Sequence, residues 1–293
     1  GFTYPNLRVA LDPDEGTATL TLLGPAEPTP ASRDAGWWPL ALCRELDDAL
    51  LLLRTNHPEL GTLVLRSEGD SEVVAALDDA LLARSREDWF IREVVLYWKR
   101  TLKRLELSSR SLIALIEPGS CFAGTLLEVA LCADRSYMLD GEDPEREGVP
   151  PASIILTGMN FGALPRGNGL TRLHNRFLGH DDHVDTLEGR TGKPIDAVEA
   201  AELGLVTATP DEIDWEDEVR LVIEERASYS PDALTGMEAN LRFGGPETME
   251  TKIFGRLTAW QNWIFQRPNA AGEKGALRAY GTGARGQFDK NRV

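Results

Sequence analysis

The 293-residue sequence predicts an α/β fold of repeated ββα crossover units, followed by a mainly helical C-terminal part. Three observations predict it. Short, β-rich apolar runs recur at residues 7–12, 17–23, 62–66 and 112–118. Segments of helical period separate the later runs, so consecutive strands must be joined by parallel crossovers. Beyond residue 208 the strand-like runs give way to helical spacing, which divides the chain into a core at 1–208 and a helical part with a basic, glycine-rich tail at 209–293.

Taken in order, residues 7–12 and 17–23 alternate apolar and polar around DPDEG, a β-hairpin pattern. The Pro/Gly/Ala loop GPAEPTPASRDAG crosses to the next element. PLALCRELDDALLLLR, residues 39–54, places apolar residues at 40, 42, 43, 46, 49, 50 and 53, one buried stripe of a helix that His57, Pro58 and Gly61 end. TLVLR (62–66) is a strand, and 72–107 reads as one long helical region. The acidic, Pro-rich GEDPEREGVPPA is a loop, and SIILT (153–157) a further strand. GMNFGALPRGNGLTRL is irregular until a helix begins near Leu170. GKPIDAVEAAELGLVTA reads as turn, helix and strand, with Asp196 as N-cap and Gly204 as C-cap. Helices are expected at 215–228, 231–240 and 252–265, the last carrying Phe254, Trp260, Trp263 and Phe265. The Gly-rich end is expected to be ordered only by contacts.

Composition narrows the function classes. Apolar residues make up 42% and charged residues 27%, ordinary for a soluble globular protein. No apolar run approaches the roughly 20 residues of a membrane span, and the first residues lack a signal-peptide pattern, so a cytoplasmic protein is expected. Cys43, Cys121 and Cys132 are scattered through apolar segments and suit buried free thiols; no zinc spacing is present. A net charge of −16 argues against a general nucleic-acid binder. From residue 252 onward, however, Lys252, Arg256, Arg267, Lys274, Arg278, Arg285, Lys290 and Arg292 face only Glu273 and Asp289. Such a tail can fold over an anionic ligand, dock on an acidic neighbouring chain, or stand in solvent.

The most informative stretch is LIALIEPGSCFAGTLLEVALCADRSYML, residues 112–139. A buried strand, a small-residue turn and a helix opening at that turn leave free N–H groups at the helix start. They can cradle a phosphate or the oxyanion of an activated thioester. The same pattern also suits an ordinary buried βαβ unit. Ser120 and Cys121 on the turn are conceivable nucleophiles, but no motif places a histidine beside them. HNRFLGHDDH fits no familiar metal-ligand spacing.

PGSCFAGTLLEVALCAD resembles the second oxyanion-loop segment of the crotonase (enoyl-CoA hydratase/isomerase) superfamily, NGxAxGGGxELALACD. PIDAVEAAELGLVTA resembles its later segment ending in ELGLV, and GMNFGALPRGNGLTRL its PExxxGxxPgxGGtxRL segment. The motifs occur in the superfamily's order and imply its repeated ββα superhelix. IEPGSCFAGT, MNFG, SPDALTGMEANLRFGGPETMETKIFGRLTAWQNWIFQRPNAAGEKGAL and QFDKNRV further resemble the C-terminal half of the superfamily's aromatic-ring-opening lyases, which are about twice this length. That likeness implies hydrolytic opening of an epoxidised aromatic acyl-CoA thioester to a semialdehyde-CoA and formate, with no metal or redox cofactor. It implies a fragment, a processed half or a separate subunit, whose partners are a second crotonase-like unit and further copies of itself.

Residue by residue, the resemblance carries an acid/base role to Glu128, one helical turn past the loop; a core salt bridge is the other reading of that residue. Gly124 and Thr125 take the oxyanion and CoA-binding positions. Thr125 replaces a glycine, keeping the N–H but adding a β-branch. Gly158 stands where the superfamily has its second catalytic glutamate. The first oxyanion segment is reduced to SEGDSEVVAALD, in which no donor can be assigned. A two-carboxylate site is thus incomplete, and the expectation is that a second half performs the chemistry while this one serves as scaffold. The aromatic 252–265 segment is expected to pack against that second unit.

Overall fold

The computed structural model describes residues 1–27, 32–142, 148–284 and 286–291. It opens with β1 (Phe2–Thr3), β2 (Leu7–Asp12) and β3 (Thr17–Leu23), an antiparallel meander in which Leu7 pairs with Leu22. Helix α1 (Trp38–Asn56) then crosses over to β4 (Thr62–Glu68), which runs parallel to β3 from Thr17↔Thr62 to Leu23↔Glu68. Predicted stripe residues of α1 from Leu42 to Leu53 are buried in the main core. The expected loops at 24–36 and 141–152 lie partly outside the described residues.

The region expected as one long helix is two. Helix α2 (Ser71–Ser85) is capped by Asp70, whose Oδ1 accepts from the Glu72 N–H at 2.8 Å. Helix α3 (Trp89–Glu106) restarts at a second cap, Asp88, accepting from the Phe90 N–H at 2.9 Å. An aspartate at each entry satisfies N–H groups that the preceding helix cannot reach, so the chain can turn between them. Next come β5 (Ser111–Ile116), α4 (Gly124–Leu131) and β6 (Arg135–Met138). β4, β5 and β6 continue the parallel part, completing a sheet in the order β1-β2-β3-β4-β5-β6.

Every residue of β5 is buried, because both faces of the sheet are covered. Leu112, Ala114 and Ile116 face the main core, while Ile113 and Leu115 join Val64, Tyr137 and Leu139 on the other side. The period-2 alternation of strand side chains makes that division.

The SIILT strand is reduced to β7 (Ile154–Ile155), which pairs with β8 (Pro194–Ile195) and precedes a 3-10 turn at Gly158–Phe161. Between them lie α5 (Arg172–Arg176) and α6 (Asp181–Glu188). Helix α7 (Ala197–Glu202) has Asp196 as N-cap, as the spacing predicts; its C-cap is Leu203, and Gly204 follows at φ 68°. The strand expected after it is only an isolated bridge, Tyr137↔Ala208.

Helix α8 (Trp215–Ser228) lays Trp215 and Val222 on the second face of the sheet. Helix α9 (Pro231–Arg242) is tied to the core: Glu238 accepts from Ser111 Oγ at 2.7 Å, and Arg242 pairs with Asp134 at 2.6 Å. The helix expected over 252–265 is assembled from α10 (Met249–Lys252), a π-helical turn at Ile253–Leu257 and α11 (Thr258–Ile264). Short helices α12 (Pro268–Ala271) and α13 (Ala276–Ala279) follow. Contacts hold the tail, including a reciprocal backbone and side-chain pair between Asn269 and Asp289 at 2.8 and 3.0 Å. Arg285 and Arg292 lie outside the described residues, among which no helix is long and apolar enough to cross a membrane.

Candidate active-site region

The turn between β5 and α4 is where the sequence places a cradle for a negatively charged oxygen. Its own cap, Ala123, is extended and offers no side-chain acceptor to the helix. The positive end of α4 is therefore open to an anion from elsewhere. The group that fills this position is the carboxyl of Asp78, from the buried face of α2. Its Oδ2 accepts from the Thr125 N–H at 2.6 Å, and its Oδ1 accepts from Thr125 Oγ at 2.7 Å. Thr157 Oγ donates to the same carboxylate at 3.2 Å. Asp78 is 2% exposed. Burial pushes its carboxyl up to about 7, against the pull of these hydrogen bonds.

Gly124 makes this approach possible. It sits at φ 41°, and a Cβ there would fall 1.8 Å from Asp78 Oδ2 and 2.3 Å from Thr157 Oγ. The glycine thus serves close packing of an internal carboxylate against the turn.

The segment that would carry the first oxyanion donor is equally engaged. The Gly69 N–H donates to the Gly119 carbonyl at 3.0 Å, and the Cys121 N–H to Ser67 Oγ at 2.9 Å. Across the gap, the Gly24 N–H donates to the Glu68 carbonyl at 2.8 Å. A Cβ on Gly24 would approach Cys121 Sγ to 3.0 Å, and one on Gly69 would approach it to 3.3 Å. The ends of β3 and β4 and the 119–121 turn therefore touch one another around the Cys121 thiol.

Glu128 lies one turn further along α4 and is 1% exposed. Its Oε2 meets Arg172 Nη1 at 2.6 Å, and its Oε1 accepts from Asn160 Nδ2 at 2.7 Å. Asn160 also donates to the Gly124 carbonyl at 3.0 Å and accepts from the Thr157 N–H at 2.9 Å. Arg172 reaches Glu106 at 3.0 Å, which Arg166 also meets, at 2.9 Å. Burial raises the Glu128 carboxyl above the usual range despite the guanidinium beside it. Geometrically this is a buried ionic network with the N-terminus of α4 and Asn160 as its spine.

Gly158 opens the 3-10 turn beneath α2. A Cβ there would meet Leu82 Cδ1 at 2.8 Å, so a side chain could enter only by displacing Leu82. Ser120 is 9% exposed, and its Oγ accepts from the Glu117 N–H at 2.9 Å. Cys121 is fully buried, which pushes its thiol up to about 11. His174 contacts Thr171 and His183 lies 3.0 Å from the Leu203 carbonyl; among the described residues no group of His, Cys, Asp and Glu is placed to hold a metal ion.

Asp78 is the site residue that motif comparison misses. Its signal lies in the period of α2: the buried positions are Val74, Leu77, Asp78 and Leu81, an apolar stripe with one acid in it. A carboxylate on such a face needs donors, and the N-terminus of α4 supplies them.

The enoyl-CoA hydratase of Geobacillus kaustophilus HTA426 superposes with a TM-score of 0.69, at 19% identity, over 99% of this chain and 98% of that one. That of Bacillus anthracis gives 0.67 at 17% identity, over 97% and 99%. The chain has the crotonase fold. Within that fold, the sequence is 53% identical over 299 residues to benzoyl-CoA-dihydrodiol lyase of Aromatoleum evansii. The match takes in all of this chain and 53% of the relative, so the chain spans about half the length of the curated relative it matches. No family model matches the chain. In this chain Asn160 ties the 158–161 turn to Gly124 and Glu128.

Proposed function

We propose that this chain is one half, or one subunit, of a cytoplasmic benzoyl-CoA-dihydrodiol lyase, and that its partner half carries the chemistry. The reaction is hydrolytic opening of the ring of 2,3-epoxybenzoyl-CoA to a semialdehyde-CoA and formate, without a metal or redox cofactor. The likeness to the lyase of Aromatoleum evansii over the whole chain supports the assignment. One observation carries the division of labour: the Asp78 carboxylate occupies the helix N-terminus that would have to receive the thioester oxygen. An oxyanion placed there would have to displace Asp78 from the Thr125 N–H, and above about pH 7 it would also meet the charge of that carboxylate. Gly158 supplies no second acid, and Glu128 is neutralised by Arg172. For the same reasons a hydratase or isomerase of other specificity is the weaker assignment.

The role left to this half is that of scaffold and partner surface. Met249, Phe254 and Phe265 are 70%, 72% and 50% exposed, and Tyr280 is 89% exposed. Exposed apolar residues concentrated in one stretch mark an interaction surface. In this reading they pack against a second crotonase-like unit or a further copy, and the aromatic acyl-CoA lies in that unit.

A second reading has one observation in its favour. Asp78 is an acid at the turn with a carboxyl near 7, poised for proton transfer at neutral pH if the turn opened. Asp78→Asn in the complete two-half lyase separates the readings. The scaffold reading expects kcat within about threefold of the parent, since the loss of an acid/base residue typically costs 10²–10⁴-fold. A loss in that larger range, with the fold intact, would assign the chemistry to Asp78.

A further inference from the structure

We propose that the basin between the C-terminal end of α4, α5 and α9 binds a phosphate group. It has a volume of about 260 Å³ and is lined by Arg166, Arg172, Arg176, Arg226 and Arg242, with Asp134 and Glu238 as its acids. With Glu106 and Glu128 behind the wall, five guanidinium groups meet four carboxylates. Three of the arginines are answered by carboxylates: Arg166 by Glu106, Arg172 by Glu106 and Glu128, and Arg242 by Asp134 and Glu238. Arg176 donates through Nε to the Gly204 carbonyl at 2.6 Å and has no ion pair with a described carboxylate, while Arg226 makes no close ion pair and its charge acts on Glu238 from further off. Arg176 is exposed and Arg226 half-buried.

A second observation concerns Arg172, which lines the same basin. The Arg172 side chain is 1% exposed, yet its Nη2 has no hydrogen-bond partner. A buried guanidinium N–H without an acceptor is costly unless a ligand supplies one. Forked, planar donors with fixed charge are the group best suited to phosphate oxygens. The two lining acids do not cancel this field. Asp134 is bound bidentately by Arg242, and Glu238 meets the same guanidinium at 3.3 Å. Met237 and Leu241, 40% and 69% exposed, give the rim an apolar side that would accept the organic part of a phosphate ester. The inference does not depend on the lyase assignment, because it concerns a different cavity and a group that many metabolites carry.

The test is calorimetric titration of the chain with inorganic phosphate and, separately, with coenzyme A, at ionic strength held constant with NaCl. Saturable binding of one equivalent is expected, weakened roughly tenfold or more in Arg176→Gln/Arg226→Gln. The charge-matched control Arg86→Gln/Arg92→Gln, on exposed positions away from the basin, should bind as the parent does. Equal affinity for the two probes identifies the phosphate itself as the ligand group, and tighter binding of coenzyme A identifies a phosphate ester that also uses the rim. A second readout needs no variant: phosphate should slow phenylglyoxal modification of Arg176 and Arg226, followed by mass spectrometry, relative to Arg86 and Arg92. Absence of saturable binding of either probe below about 10 mM, or equal loss in both double variants, would overturn the site.

Discussion

Replacing Asp78 by asparagine should change how stability depends on pH, and the size of the change follows from the structure. The carboxyl is raised from 3.8 to about 7 in the folded chain. The folded state therefore binds a proton at Asp78 over a range in which the unfolded chain has released it. Stability contributed by that proton is fully present below about pH 4 and is lost as pH rises through about 7. Each pH unit inside the window is worth about 1.4 kcal/mol. Asparagine keeps an Oδ1 acceptor for the Thr125 N–H, and its Nδ2 can donate to a hydroxyl of Thr125 or Thr157 after that hydroxyl rotates. It keeps the shape and removes the titration. Urea unfolding of both proteins at pH 4.5, 5.5, 6.5 and 7.5 should show the parent losing roughly 3 kcal/mol more than the variant between the two extremes. Glu128 and Glu238 are also shifted upward, but they are common to both proteins and cancel in the difference. Parallel curves for parent and variant would refute the placement of a buried, raised carboxyl at the start of α4.

Three further substitutions test the surroundings of that carboxyl. Glu128→Gln leaves the Arg172 guanidinium buried with Glu106 as its remaining carboxylate, and should lower unfolding free energy by about 3 kcal/mol or more; a change under about 1 kcal/mol would mean the pair is not closed in solution. Gly124→Ala puts a Cβ 1.8 Å from Asp78 Oδ2 at φ 41° and should cost about 2 kcal/mol or more, a penalty that shrinks in an Asp78→Ala background. Additive losses would show that the two positions do not meet. Gly158→Glu restores the acid that the superfamily motif carries; it should destabilise the chain by about 1–3 kcal/mol through Leu82, and give no hydration of crotonyl-CoA in a spectrophotometric assay.

Much of the fold was legible because period and punctuation agree locally. The β2–β3 hairpin, the α1 stripe and the β5–turn–α4 unit each combine an unambiguous repeat with a turn signal. The 72–107 region misled because its single break falls in the polar run at residues 84–88, which holds neither Gly nor Pro; the capping contact of Asp88 settles the boundary. At the 252–265 segment, helical period hid a π-helical turn, which spacing alone does not mark. In the candidate site, the motifs brought Gly124, Thr125 and Glu128 to one helix end but could not say what faces them. Asp78 comes from 47 residues earlier and Arg172 from 44 residues later. Such pairings are fixed by tertiary packing, and only the lone acid in the α2 stripe hinted at the first of them.

The central claim is that Asp78 closes the thioester cradle of this chain. The most direct measurement is turnover of 2,3-epoxybenzoyl-CoA by the 293-residue chain on its own, followed by formate release. The account predicts no formate above the uncatalysed rate, and none gained on adding back free coenzyme A. Formate released at a rate that falls by 10²-fold or more in Asp78→Asn or Glu128→Gln would contradict it.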